Sequence, residues 1–262
     1  MDYKKINKNS WNNRVPVHFE SDFYDVPAFV AGKNSLKQPE LAILGDVSGK
    51  SILHLQCHFG QDTISLSRMG AQATGIDLSD AAIEQAKELN KQCGTDADFI
   101  VSDVYDLPKN LEGQFDIVFT SYGTIGWLPD MNKWASVINH FLKDGGTFVF
   151  AEFHPVVWMF DDNHETVFYN YFTAEPIVET FSGTYAQKDS SVELQDVSWN
   201  HGLSEVVTSL LNQGLRIEHF KEYDFSPYNC FNGMQEDGSD EYRITKFGNK
   251  VPMMYTLMAV KG

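Results

Sequence analysis

The stretch from Ser51 to Ser79, SILHLQCHFGQDTISLSRMGAQATGIDLS, constrains the fold most: it reads as an apolar strand, a turn bearing one glycine, a helix, a second strand and an acid. Such a unit sets the first turn and the end of the second strand side by side at one edge of a parallel sheet. Gly60 has no side chain to keep a ligand from the turn's backbone. Asp77, seventeen positions on, falls at the carboxyl end of the second strand, where a carboxylate accepts hydrogen bonds from both hydroxyls of a ribose. Ser102-Asp103-Val104, after a third apolar run, adds an acid where an adenine amino group would lie. Acids at successive strand ends beside a glycine turn point to a nucleoside pocket.

From Lys50 onward short β-like runs alternate with helical periodicity, the pattern of a doubly wound, mostly parallel α/β sheet. Strands are expected at Ser51–Gln56, Gln72–Asp77, Asp98–Val101, Phe115–Thr120 and Thr147–Glu152. Ser79 caps an apolar stripe of Ala82, Ile83, Ala86 and Leu89 that stops at Gly94, and Met131–Leu142 forms a second helix. After Glu152 three aromatic-rich antiparallel strands are expected at His164–Thr173, Ile177–Tyr185 and Ser191–Trp199, as an insertion over residues 155–200. A helix near Leu203–Asn212, a strand at Leu215–Phe225, a loop over Asn229–Asp240 and a final strand around Pro252–Val260 complete the core. Residues 1–45, with Trp11, Arg14, Phe19, Phe23 and Tyr24 ahead of a helical stretch at Leu36–Leu44, form a lid or cap segment on a domain of residues 46–262.

Charge and cysteine usage narrow the partners. Asp plus Glu number 36 against 20 Lys plus Arg, and the formal charge of −16 repels a phosphate backbone, so nucleic acid is excluded as a partner. Lys4, Lys5 and Lys8 form the sole basic concentration and read as a solvated tail. Cys57, Cys93 and Cys230 are far apart and form no Cys-x-x-Cys pair, against a disulfide framework or a structural zinc site. With no apolar leader and no membrane-length run, a cytoplasmic protein is expected, a monomer or homodimer without a membrane partner.

The ILHLQCHFGQDT segment resembles the first motif of class I, Rossmann-like S-adenosylmethionine-dependent methyltransferases, of the bacterial small-molecule type, and the likeness is closest over residues 50–153. The resemblance implies a seven-stranded sheet whose last strand is antiparallel, with S-adenosylmethionine as cofactor. It assigns the loop Cys57, His58, Phe59 and Gly60 to the methionine portion, Asp77 with Leu78 to the ribose and Asp103 with Val104 to the adenine. Ser121 joins the cofactor set, and Arg14 is the candidate partner of the cofactor carboxylate. His54 stands where most members have an acid, and Gln56 and His58 stand where they have the first two glycines. A neutral imidazole accepts a hydrogen bond from the ligand's ammonium, whereas a protonated one repels it. The same departures weigh against a dinucleotide oxidoreductase, whose pyrophosphate needs Gly-x-Gly-x-x-Gly.

Methyl transfer is an in-line displacement that asks chiefly for alignment and exclusion of water. Tyr122, Thr124 and Trp127, following the fourth strand, are the candidate substrate residues. His154 after the fifth strand and His201 after the insertion are the candidate bases. No metal site is expected, since Glu152, His154 and His201 lack a further strong ligand. The aromatics Phe168 through Phe172, Phe181 and Tyr185 wall an acceptor pocket or bury a dimer face. The reading is a methyltransferase for a small acceptor; the competing one is a nucleoside-binding protein without catalysis.

Overall fold

The computed structural model describes residues 1–172, 175–238 and 240–262. Its centre is a seven-stranded sheet. The strands are β1 (Ser51–Leu55), β2 (Gln72–Asp77), β3 (Asp98–Val101), β4 (Phe115–Ser121), β5 (Leu142–Phe153), β8 (Leu215–Tyr223) and β11 (Met254–Lys261), in the order β3-β2-β1-β4-β5-β11-β8. The first five run parallel, and β11 is antiparallel to both neighbours. Order reverses between β1 and β4, and the crevice at the strands' carboxyl ends opens there.

Alternation along the strands divides the core. Leu53, Leu55, Val118, Phe148 and Phe150 face one side, covered by Trp134 and Ile138 of α7 (Met131–Phe141) and Val206 and Leu210 of α8 (Leu203–Asn212). Ile52, Ile117, Phe119 and Val149 face the other, under α4 (Gln61–Arg68), α5 (Asp80–Cys93) and the short helices α2 (Val26–Val30) and α3 (Gln38–Leu44). One short helix, α6 (Leu107–Asn110), follows β3.

The insertion differs from expectation. It holds one hairpin, β6 (Ile177–Ser182) against β7 (Glu193–Ser198), and a third strand over His164–Thr173 is absent among the described residues; Thr173 lies outside them. His164 has φ 55 and the segment contributes a single bridge, Phe160 to Val167, because its backbone is held by turns at Asp161 and Met159. The expected loop over Asn229–Asp240, of which Ser239 lies outside the described residues, contains β9 (Met234–Glu236), paired with β10 (Tyr242–Ile244).

The N-terminus also departs from a solvated tail. Residues Tyr3–Phe19 form α1, whose buried positions include Asn7, Ser10, Arg14 and His18. That spacing is helical but polar, so hydrophobic periodicity does not reveal it. Each polar group has a partner across the fold: Asn7 exchanges side-chain bonds with both the N–H (2.9 Å) and the C=O (2.8 Å) of Val197 on β7. Lys4 bridges Asp103 and Asp106 at 2.9 Å, and Lys8 reaches Asp80 at 3.2 Å.

Candidate active site

The loop leaving β1 keeps a glycine-type backbone without the glycines. Gln56 (φ 56), His58 (φ 51) and Gly60 (φ 81) are all left-handed, so two bulky residues occupy conformations that glycine adopts more easily. At Gly60 the requirement is packing: a Cβ would lie 2.5 Å from Phe99 Cε1, so its missing side chain makes room for the core on that side.

Asp77 anchors this loop. Its carboxylate accepts the His58 N–H at 2.9 Å and the Ser79 N–H at 2.8 Å. Burial pushes the carboxyl up to about 6 and the backbone donors pull against it. Asp103 Oδ1 accepts from the Tyr105 N–H and from Lys4, both at 2.9 Å. Ser121 donates to Asp62 at 3.1 Å. The loop after β4 is gripped by buried Glu152, which accepts N–H bonds from Gly123, Thr124 (2.8 Å) and Ile125 (3.2 Å) and the Thr124 hydroxyl at 2.9 Å.

These strand ends border one cavity of about 250 Å³. Cys57, His58, Phe59, Gly60, Asp77, Leu78, Asp103, Val104 and Ser121 line it, as do Tyr122, Thr124 and Trp127. Three sequence candidates fall elsewhere. Arg14 is absent from the lining; its guanidinium is buried against Asp196 of β7, Nη2 to Oδ2 at 2.6 Å and Nη1 to Oδ1 at 3.1 Å, because a buried cation needs an internal carboxylate. His154 takes the Val156 N–H on Nδ1 and meets Glu222 through Nε2 at 2.9 Å. His201 spans Glu205 (3.0 Å) and the Leu128 carbonyl (2.7 Å), tying α8 to the loop after β4. Neither histidine lines the cavity. Of the insertion's aromatics Tyr185 reaches the cavity, while Phe168 and Phe172 are exposed.

Several further polar groups line or border the cavity. His18 Nδ1 meets His58 Nε2 at 3.0 Å, and burial lowers both imidazoles, His18 to about 3. His54 Nδ1 meets Thr63 Oγ1 at 2.8 Å, and burial lowers it to about 4. Gln56 donates through Nε2 to the Thr124 carbonyl at 2.8 Å. His54 Nε2, Gln56 Oε1, His58 Nδ1 and His18 Nε2 are buried with no hydrogen-bond partner among the described residues. Glu40 of α3 accepts the Tyr122 hydroxyl at 2.5 Å. The spacing of His18 from Arg14 on one helical face was the available clue to it.

Residues 52–146, spanning β1 to the start of β5, match the family model described as a methyltransferase domain. Over these residues the chain is similar to a methyltransferase domain. An uncharacterised methyltransferase of Synechocystis sp. is 33% identical over 133 residues, covering 50% of this chain and 60% of the relative. Among solved structures, an S-adenosylmethionine-dependent methyltransferase from Mesorhizobium loti superposes with TM-score 0.57 at 17% identity, over 88% of this chain and 100% of that one. Geranyl diphosphate C-methyltransferase from Streptomyces coelicolor A3(2) gives TM-score 0.59 at 12% identity, over 100% and 98%. Such structural likeness shows the fold alone. The chain spans about three-fifths of the length of the first curated relatives it matches.

Proposed function

We propose that the crevice binds S-adenosylmethionine and that the protein transfers its methyl group to a small-molecule acceptor. The observation that carries the reading is the convergence of the β1, β2, β3 and β4 ends on one cavity, with the acids Asp77 and Asp103 on its wall. The donor set fits the cofactor. Asp77 meets the ribose hydroxyls, and Asp103 with Val104 meets the adenine. The orphaned Gln56 Oε1, an obligate acceptor, suits the ammonium of the methionine portion where the family has an acid nearby. Neutral His54 beside it adds no positive charge to repel that ammonium.

Bound S-adenosylmethionine supplies an electrophilic methyl on a sulfonium. The chain's residues align and seal the reactants: Trp11 packs edge-on against Trp127 at 5.3 Å and His58 at 5.2 Å, so α1 closes the crevice from above. The cavity continues past Ser121 to Tyr122, Phe23, Tyr185 and Tyr228, which favours an acceptor site over a binding protein without catalysis. The ring-lined enclosure suits a small molecule. The same reading has the protein at work in the reducing cytoplasm, in keeping with three unpaired cysteines. Arg14, held by Asp196, acts here as a strut of the cover.

Calorimetric titration with S-adenosylmethionine, its demethylated product and NAD tests the cofactor. Micromolar binding of the first two without NAD is expected, and NAD binding alone overturns the reading. Asp77→Ala is expected to weaken cofactor binding ten- to a hundredfold, on the order of 1.5–3 kcal/mol for the lost charge-assisted bonds. Unchanged affinity removes Asp77 from the ribose site.

A further inference from the structure

Glu40 is fully buried on α3, and its carboxyl accepts from the Lys37 N–H and from the Tyr122 hydroxyl at 2.5 Å. The Lys37 bond caps α3. The Tyr122 bond has no part in that helix: it ties a buried carboxyl to a phenol that lines the cavity at the exit of β4. Tyr122 sits at φ 44, a left-handed conformation with a steric cost for a tyrosine, and its ring rests against Phe153 (5.5 Å) and Tyr228 (5.2 Å).

We propose that Tyr122 and Glu40 form a proton relay that accepts the proton of a phenolic hydroxyl on a planar acceptor while its oxygen takes the methyl group. This rests on the methyltransferase reading above. An oxygen lone pair forms the O–CH3 bond as the C–S bond breaks, and the bonding pair goes to sulfur, leaving a neutral thioether. The acceptor's proton passes to Tyr122 Oη as the Tyr122 proton passes to Glu40 Oε2. Tyr122 is regenerated, Glu40 ends neutral, and its proton is later lost to solvent.

The acceptor class follows from chemistry on the cavity wall. Phe23 stacks on Tyr228 with centroids 5.7 Å apart and 28° between planes, a wall suited to a flat ring. The Lys37 ammonium lies 5.1 Å over the Tyr228 ring and has no carboxylate partner among the described residues, so it disfavours a cationic amine and favours a developing phenolate. Burial raises the Glu40 carboxyl to about 8; Asp62 of α4 adds in the same direction, and the Tyr122 and Lys37 donors oppose. A phenol, near 10, is within reach of such a base; an alkyl alcohol lies far above it, and an aryl thiol ionises without help. The titratable side chains that act on Glu40 are thus Asp62, Tyr122 and Tyr228, with the Lys37 ammonium over the Tyr228 ring.

The test is release of demethylated cofactor by the full chain saturated with S-adenosylmethionine, offered catechol, 2-naphthol, thiophenol and 2-naphthylamine, for the wild type, Tyr122→Phe and Glu40→Gln. Glu40→Gln keeps its carbonyl oxygen for the Lys37 N–H and turns its NH2 to the Tyr122 oxygen as a donor, so it separates proton removal from folding. Expected are transfer to a phenol with a kcat that climbs as pH rises toward 8, and a fall of about a hundredfold in kcat in both variants. In Glu40→Gln the pH limb disappears, with KM and cofactor affinity changed less than about threefold. Any transfer to thiophenol should be nearly unaffected. Phenol transfer with its pH limb intact in Glu40→Gln overturns the relay, and transfer to thiophenol or the amine alone overturns the phenolic class. Cofactor binding with no transfer to any probe overturns both the relay and the catalytic reading; no cofactor binding overturns the reading beneath them.

Discussion

The left-handed run at Gln56, His58 and Gly60 illustrates how one backbone shape survives different side chains. The two larger residues are retained by what they bind: the His58 N–H holds Asp77 and its ring holds His18, while the Gln56 amide holds Thr124. Gly60 has no such compensation available, because a Cβ would press on Phe99 at 2.5 and 2.7 Å and on Ala86 at 3.1 Å, at φ 81. Gly60→Ala is therefore expected to destabilise the fold by about 1–3 kcal/mol, read from the midpoint of urea unfolding. A loss under about 0.5 kcal/mol would mean that Phe99 yields easily. At this scale Asp77 and Asp103 were legible because each closes an apolar run. His154 and His201 looked alike in sequence, but their rings turn to Glu222 and Leu128, partners 68 and 73 positions away.

Among the elements, α1 is one that hydrophobic patterning misses. Its inward stripe is held by polar matching to β7: Asn7 on the Val197 backbone, and Ser10 and Arg14 on Asp196. Breaking one side of a buried ion pair leaves the other charge stranded. Arg14→Met is expected to strip roughly 3–5 kcal/mol from the docking of α1. Amide hydrogen exchange should show this as lost protection in α1 and β7, with β1 to β5 unaffected. Equal loss across the sheet would show that α1 and the core unfold as one unit. The short β6–β7 hairpin fits the same picture, since β7 buries Leu194, Asp196 and Val197 while β6 lies half-buried or exposed along its length.

Over the whole molecule, buried titratable groups around one crevice set how stability responds to pH. Histidines 18 and 54 are depressed to about 3 and about 4, so the stability tied to their neutral forms is present above the unfolded value of 6.5 and is lost as pH falls toward those values. Glu40 works oppositely. Its folded value of about 8 lies above the unfolded 4.5, so its contribution is complete below 4.5 and disappears as pH rises through 8. Between pH 6.5 and 8 Glu40 alone should cost up to about 1.4 kcal/mol per pH unit. Glu40→Gln should flatten that decline in urea unfolding series at pH 6.5 and 8. An unchanged slope would place the responsible proton elsewhere.

The sequence by itself determined the alternating strands and helices of the parallel core and where its first strands end. Runs such as Ser51–Leu55 and Gln72–Asp77 are apolar and separated by helical segments, the pattern of a parallel sheet, and strand ends are fixed once the strands are. The tertiary structure decided which polar groups meet. Arg14 with Asp196, Tyr122 with Glu40 and Lys4 with Asp103 lie 182, 82 and 99 positions apart. An apolar side chain needs only to be inside, so its pattern along the chain suffices. A polar one needs a particular partner at a particular angle, which exists after the chain has folded.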